Sequence, residues 1–136
     1  PSEFDDSIFD EYKEYIAKGK VEPLSEIYGH SKARIKRLLM LNKSKVDETN
    51  TSIAIHKIKN LPKKIPSYCK LHKHDFNEIN LILSEESKLS YKIVLGDEEY
   101  KVSSPSTIFI PKGVLHSAEV LSGKGTFVCI RSKGRL

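Results

Sequence analysis

The sequence predicts a mainly β protein, an antiparallel sandwich or barrel with two short helices in front of it. From Thr51 onward the chain divides into short runs rich in β-branched and aromatic residues, each bounded by turn residues. About eight such runs fit into roughly eighty residues with no helical pattern between them, which is typical of a sandwich or a barrel. Gly96-Asp97 and Gly123-Lys124-Gly125 have the composition of hairpin turns.

Two helices are predicted before the strands begin. The first covers residues 7–18, where apolar residues recur at helical spacing and Gly19 can end the helix. The second covers residues 23–41, and Gly29 breaks or kinks it. We therefore expect residues 1–50 to form a helical segment that packs on the barrel or on a partner subunit, and residues 51–136 to form the barrel.

The second predicted helix carries a group of basic residues, Lys32, Arg34, Lys36 and Arg37. Such a group fits either a DNA-binding helix or an ordinary solvated helix face. A helix-turn-helix domain usually needs a third helix to complete its core, and only two are predicted here. The solvated face is therefore favoured, and nucleic acid is not expected as a partner.

The predicted strands cover most of the second half of the chain. They are residues 52–59, 67–74, 78–84, 88–95, 98–102, 107–110, 115–121 and 126–132. Successive side chains in a strand point to opposite faces. The apolar set Leu89, Tyr91, Ile93 and Leu95 is therefore expected inside, whereas His56, in a Lys-rich run, is expected at the surface.

Composition and charge describe a soluble globular protein. Hydrophobic residues make up 38% and charged residues 30% of the chain, and the formal net charge is +5. This balance suits an anionic small molecule as well as an ordinary Lys-rich surface. No apolar run approaches the roughly 18 residues of a membrane span. Cys69 and Cys129 lie outside any C-x-x-C and no secretory segment is recognisable, so we expect free thiols in a cytoplasmic protein.

Three residues that can bind a divalent metal lie close together: His72, His74 and Glu78. In a strand, side chains two apart share a face with α-carbons about 6.5 Å apart. Two imidazoles at that separation can bind one ion at roughly 2.0–2.1 Å. Residues 75–77 indicate a tight turn that returns Glu78 to the same ion. His116, after a turn containing Pro and Gly, offers a fourth ligand.

The two motifs, H-x-H-x-x-x-E and then P-x-G-x-x-H, resemble the paired motifs of the cupin superfamily. The resemblance covers roughly residues 51–131 and implies a small single-domain metal-binding cupin. Its fold would be an antiparallel β-barrel of the double-stranded β-helix or jelly-roll type, with His72, His74, Glu78 and His116 as ligands. Departures from the family pattern fall where it has turn residues. They are Pro66, Glu85 and Pro105 in place of Gly, and Val120 in place of Asn.

Strand alternation also predicts the polar lining of the barrel interior. Tyr68 and Lys70 share a face with the first two histidines, and Asn80 shares one with Glu78. Tyr68, Lys70 and Tyr91 are candidates for catalysis, and Asn80, Lys70 and Tyr68 for substrate binding. An apolar cavity with a few convergent polar groups is typical of a small-molecule site.

The predicted cofactor is one divalent transition metal. Nitrogen and oxygen donors without thiolate suit iron, which we favour, and also zinc, manganese, nickel, cobalt or copper. The favoured function is a metal-dependent dioxygenase acting on a small, anionic metabolite. The alternatives are a sugar-type isomerase or epimerase or a lyase, which need a general base, and a non-catalytic ligand-binding sensor barrel with a basic helix. A homodimer is the expected assembly.

Overall fold

The computed structural model describes residues 12–22 and 35–133, which contain nine strands and two antiparallel sheets. The strands are β1 Lys20–Glu22, β2 Ile35–Leu41, β3 Thr51–Ile58, β4 Asn77–Leu83, β5 Leu89–Leu95, β6 Glu98–Ser103, β7 Ser106–Ile110, β8 His116–Gly123 and β9 Gly125–Ser132. The larger sheet has the order β1-β2-β3-β9-β4-β7 and the smaller has the order β6-β5-β8. The mainly β prediction is therefore confirmed.

The core lies between the inner faces of the two sheets. Alternate residues of the central strands point into it, because side chains alternate along a strand. Its most deeply buried apolar side chains are Ile82, Leu89, Tyr91, Ile93 and Ile110, each at most 2% exposed. Tyr91, Ile93 and Leu89 belong to the set that the sequence predicts to face inward, which the structure confirms.

The predicted N-terminal helices are not supported. Residues 35–41, predicted as the end of the second helix, form β2 and pair with β3. A short apolar run cannot be assigned to helix or strand by periodicity alone, and here pairing with β3 decides it. Residues 23–34 and 7–11 lie outside the described residues. Only residues 12 and 13 of the first prediction have helical backbone, and a turn follows them.

Within residues 12–22 and 35–133, no helix is long and apolar enough to cross a membrane.

The larger sheet begins before Thr51, since β1 and β2 both belong to it. The division of the chain at residues 50 and 51 stays a prediction.

The segment predicted as a strand over residues 67–74 is not one. His72 alone pairs there, through an isolated bridge to His116. The backbone N–H groups of Tyr68 and Cys69 donate instead to the buried carboxylate of Glu119, at 2.6 and 3.2 Å. That carboxylate thus accepts the hydrogen bonds that the carbonyl groups of a neighbouring strand would otherwise accept.

The outer face of the larger sheet is apolar across all six strands. Directly opposed residues share a face, so the strand registers define two rows. One row is Leu41, Ile53, Ile130, Ile79 and Phe109, and the other is Val21, Leu38, Ile55, Val128, Leu81 and Thr107. Val21 and Phe109 are 56% and 52% exposed. The rows contain no charged residue.

The turn between β8 and β9 requires glycine at residue 123. Gly123 has a φ of +101°, and an added Cβ would lie 1.9 Å from the carbonyl oxygen of Lys88 and 2.9 Å from the α-carbon of Leu89. We expect Gly123→Ala to lower the free energy of unfolding by more than about 2 kcal/mol, because the clash is with backbone and a side chain is strained at that φ. Chemical denaturation measures the loss.

Gly96→Ala is the matched control for this substitution. Gly96 also has a positive φ, of +63°, but an added Cβ would meet nothing within 4 Å. Its cost should be only the backbone strain of about 1–2 kcal/mol. Equal losses of stability in the two variants would show that the clash of the added Cβ with Lys88 and Leu89 does not contribute to the destabilisation.

Candidate metal centre

The isolated bridge brings the two histidine motifs together. The N–H of His72 donates to the carbonyl of His116 at 3.0 Å, and the N–H of His116 donates back to the carbonyl of His72 at 2.8 Å. A further bond, from the N–H of Gly113 to the carbonyl of His74 at 2.8 Å, ties the turn before β8 to the same segment. These backbone bonds place residues that are 44 and 39 positions apart in the sequence side by side.

Three imidazoles converge at this point. Ligand atoms of His72, His74 and His116 all lie within 4.8 Å of one another, and their ring centroids are 4.3–5.3 Å apart. Atoms that share one ion at roughly 2.0–2.1 Å are about 3–4 Å apart, so small side-chain shifts suffice. His116 is buried, and the other two are partly buried.

Glu78 lies beside this trio. It is the second residue of β4 and points inward. Its Oε1 is 3.4 Å from Nε2 of His116 and 3.8 Å from Nε2 of His74. Burial alone would raise the pKa of this carboxyl, but the nearby His116 imidazole and the charge of Arg131 lower it to about 2. Glu78 is therefore ionised at neutral pH and can act as a fourth ligand.

Hydrogen bonds of the Nδ1 atoms, which face away from the cluster, fix the tautomers of two histidines. Nδ1 of His72 lies 2.6 Å from the carbonyl of Lys70, and Nδ1 of His116 lies 2.9 Å from the carbonyl of Val114. A carbonyl only accepts, so each Nδ1 carries the proton and each Nε2 keeps its lone pair. This arrangement orients histidines that bind metals.

The inward nitrogens fit a divalent ion. Nε2 of His74 and Nε2 of His116 are buried and form no hydrogen bond with any described residue. Buried polar atoms without a partner are uncommon and call for an unseen acceptor, donor or ion. Neutral imidazoles with one carboxylate suit a divalent transition metal. Three histidines that could bind a metal are therefore present, and their assignment as ligands with Glu78 stays a prediction.

The three imidazoles differ in acidity. Burial and the charge of Arg131 lower the pKa of His74 to about 4, and burial also lowers the pKa of His72. Burial acts to lower the pKa of His116 too, but the Glu78 carboxylate and the Val114 carbonyl outweigh it, and the net pKa is raised. A proton therefore competes with a metal first at His116.

Arg131 is a member of the site that the sequence analysis missed. It lies opposite Glu78 in the β4–β9 register, and its Nε donates to Oε1 of Glu78 at 3.0 Å. Its guanidinium also lies 5.8 Å above the ring of Phe76, which stacks on His74 at 4.5 Å. Only the register of two strands distant in the sequence brings these groups together, so no local pattern could reveal them.

The predicted interior residues are placed differently. Lys70 is exposed, so its predicted inward orientation is wrong, because alternation fails where residues 67–74 form no strand. Tyr68 is buried, and its hydroxyl oxygen accepts the N–H of Val120 at 2.8 Å. Tyr91 is fully buried and stacks on Phe127 at 4.5 Å, and burial raises the pKa values of both tyrosines.

Asn80 supports the Glu78 carboxylate rather than facing open space. Its Nδ2 donates to Oε2 of Glu78 at 2.9 Å, and its side chain is fully buried. The hydrogen bond holds the carboxylate with Oε1 turned toward the histidines. The catalytic and substrate-binding roles of Tyr68, Lys70, Tyr91 and Asn80 stay predictions.

Two cavities adjoin the cluster. An inner cavity of about 30 Å³ is lined by His72, Glu78 and His116 together with Arg37, His56 and Arg131. An outer cleft of about 230 Å³ is lined by Arg131 and Phe76 and also by Lys43 and Lys133. An apolar interior cavity large enough for a metabolite was expected from the sequence, and the inner cavity is too small for one.

His56 and the cysteines also line the inner cavity. His56 is only 5% exposed, so its predicted surface position is wrong. The one lysine of its strand, Lys57, lies on the opposite face and is exposed. Cys69 and Cys129 are free thiols, as predicted, and burial raises the pKa of Cys129 to about 12. Neither cysteine is therefore a thiolate at neutral pH.

The fold is similar to several solved structures. An RmlC-like cupin from Shewanella frigidimarina has a TM-score of 0.54 at 12% identity, over 87% of this chain and 86% of its own. KdgF from Halomonas sp. has a TM-score of 0.52 at 14% identity, over 74% of this chain and 80% of its own. Oxalate decarboxylase from Bacillus subtilis has a TM-score of 0.53 at 15% identity, over 87% of this chain and 28% of its own.

No family model matches the sequence, and the search of curated proteins finds no match. At identities of 12–15%, these similarities indicate a shared fold and do not indicate a shared activity. The two antiparallel sheets, the histidine cluster between them and these structural matches agree with the paired sequence motifs. The chain therefore has the fold of the cupin superfamily.

Proposed function

We propose that this protein is a metal-dependent enzyme that acts on a small anionic metabolite, with dioxygenase chemistry as the favoured reaction class. The observation that carries the proposal is the convergence of three imidazoles whose inward nitrogens are available beside an ionised carboxylate. His72, His74 and His116 would hold one divalent ion with Glu78. A redox-active ion there supplies oxygen chemistry, and we propose iron on that ground.

The outer cleft is the proposed substrate site. Its volume of about 230 Å³ is close to the lower end of ligand pockets, which begin at roughly 300 Å³. Arg131, Lys43 and Lys133 contribute positive charge to its wall, which suits an anionic molecule. Arg131 and Phe76 line the cleft, and each also contacts a member of the proposed ligand set, Glu78 and His74 respectively.

The scarcity of a free base supports oxygen chemistry over isomerisation. A proton-transfer reaction needs a base within hydrogen-bond reach of its substrate. Tyr68 and Tyr91 are buried with raised pKa values, and Lys70 is exposed. Among the described residues of the inner cavity, Glu78 supplies the carboxylate and already faces the histidines.

A non-catalytic, ligand-binding barrel is the second candidate. The small inner cavity favours this candidate over catalysis, because a cavity of about 30 Å³ cannot enclose a metabolite next to the histidines, where the reaction would take place. The basic helix that would accompany this function is not supported, since Lys36 and Arg37 lie in strand β2. Arg37 moreover points inward and bonds Glu22 and His56. Lys32 and Arg34 lie outside the described residues.

Metal content and oxygen uptake test the proposal together. Protein purified without added metal should contain close to one equivalent of iron by elemental analysis. With ferrous iron and candidate small carboxylates or other anions, it should consume oxygen. Turnover that persists without oxygen would move the assignment to an isomerase or lyase. A metal-loaded protein that binds such anions without turnover would support the binding barrel.

We expect His72→Ala and His116→Ala each to remove most of the bound metal while the domain stays folded. Each substitution deletes one donor from a cluster whose remaining members cannot complete the site. Metal content by elemental analysis and folding by circular dichroism measure the two effects. Lys73→Ala, at the exposed position between two of the histidines, is the matched control and should keep its metal. Full metal content in the double mutant would exclude this ligand set.

Metal affinity should fall with pH in a pattern that the unequal pKa values set. The pKa of His116 is raised above its ordinary value of about 6.5, so its proton competes first and begins to do so at a higher pH than that of an ordinary histidine. The pKa of His74 is lowered to about 4, and that of His72 is also lowered, so these two rings stay neutral to a lower pH than His116 does. Affinity should therefore drop about tenfold per unit between pH 6 and pH 5, corresponding to one displaced proton.

A chelator competition titration with zinc measures this slope. Three histidines with ordinary pKa values would give a much steeper fall, of up to about a thousandfold per unit. An affinity that stays flat from pH 8 to pH 5 would be incompatible with a site built from histidines.

We assign the apolar outer face of the larger sheet to a homodimer interface. Its two rows cross six strands at about 4.8 Å spacing, a width of roughly 24 Å. An exposed apolar patch of that kind marks an interaction site, and it can form the centre of a standard interface of roughly 800 Å² per partner. The rows are uncharged, so a second copy of the same face is a fitting partner.

Phe109→Glu should shift this dimer to a monomer in sedimentation velocity. Phe109 is 52% exposed and lies on the edge strand β7, so a buried charge in the interface, rather than unfolding, would be the cause. Leu121→Glu, at a position 43% exposed on the smaller sheet, is the control and should leave the dimer intact. A wild-type chain that is monomeric at micromolar concentration would refute the interface.

A further inference from the structure

A second polar cluster lies inside the barrel, on the inner side of the histidines. Arg37 of β2 lies opposite Glu22 of β1 and His56 of β3. It donates a hydrogen bond to each of them, at 3.2 and 2.9 Å. His56 also contacts the ring of Phe127 at 5.7 Å, and Arg131 reaches the same cavity from β9.

The bond from Arg37 fixes the tautomer of His56. Arginine carries donors alone, so Nε2 of His56 must be the acceptor. The proton of the neutral ring therefore sits on Nδ1. His56 is 5% exposed, and its Nδ1 forms no hydrogen bond with any described residue. A buried N–H without an acceptor is rare and destabilising. The structure therefore has a buried donor that requires an acceptor from outside the described chain.

The space available limits what that acceptor can be. The inner cavity has a volume of about 30 Å³, whereas one water needs at least roughly 10–15 Å³. It therefore has room for a group of about one to three heavy atoms. Arg37 and Arg131 also line it, and both are donors only. The carboxylate of Glu78 lines it too, but it accepts hydrogen bonds from Arg131 and Asn80 and none from Nδ1 of His56.

We propose that the inner cavity binds a small inorganic anion of halide size, held by the Nδ1–H of His56 and by the guanidinium groups of Arg37 and Arg131. The proposal rests on the proposed function in one respect. A divalent ion on His72 and His116, which line the same cavity, adds positive charge beside the anion. Anion and metal binding should therefore strengthen each other, and linkage requires that the effect be reciprocal.

Bromide binding to the wild-type chain tests the site directly. In the metal-free protein, the His56 ring should appear as the Nδ1–H tautomer in long-range ¹H–¹⁵N spectra. Its signals should move saturably with bromide but not with sulfate, which is too large, at equal ionic strength. In zinc-loaded protein the bromide affinity should rise by on the order of tenfold. If the His56 signals do not change with bromide, or change equally with sulfate, the proposed anion site is wrong.

Two variants separate this site from general surface binding. His56→Phe keeps a flat ring and removes the donor, so saturable bromide binding measured by ⁸¹Br relaxation should be lost. Lys57→Gln, the exposed neighbour on the same strand, should bind bromide as the wild type does. Wild-type binding in His56→Phe would contradict the proposal. If that variant fails to fold, the wild-type spectra still decide.

The outcomes also distinguish this inference from the metal-dependent function. Bromide that moves the His56 signals in a protein that binds no zinc would leave the anion site standing and refute the metal centre. Zinc binding with no bromide effect on His56 would refute the anion site alone.

Discussion

The candidate metal centre depends on one pair of backbone hydrogen bonds, between His72 and His116. These bonds join a segment without regular structure to the first residue of β8. The segment itself is held by the Glu119 carboxylate, which accepts two of its N–H groups. A buried carboxylate thus substitutes for a neighbouring strand and leaves the histidine side chains facing the gap between the sheets. Without this arrangement, the bond from the N–H of Gly113 to the carbonyl of His74 would be the one left of the three backbone bonds described between the two motifs.

Charge balance is the second constraint on the site. In the structure the negative charge of Glu78 is matched by Arg131, whose Nε contacts the same oxygen that faces two histidines. A bound divalent ion would share that oxygen with the guanidinium. Arg131 also lines both the outer cleft and the inner cavity. It therefore links the proposed substrate site, the Glu78 carboxylate and the proposed anion site through one side chain.

Interior polar groups reduce the space that a barrel of this size could offer a ligand. Arg37 and His56 occupy the inner face of the larger sheet, and Phe127 stacks on Tyr91 and contacts His56 at a tilt. The remaining volume is small, which moves the proposed metabolite site outward to the cleft beside Phe76. This packing could not be read from alternation alone, because alternation says which residues point inward and not how much space they leave.

The sequence by itself determined the mainly β class, most of the strands after Thr51 and the inward set on β5, because two-residue alternation is a local property. It also indicated the three histidines that converge, through the spacing of the paired motifs. The tertiary structure alone decided that residues 35–41 are a strand, that Lys70 points to solvent and that Arg131 reaches Glu78. Strand pairing and register depend on residues distant in the sequence, and a slip of one position reverses which side chains face inward.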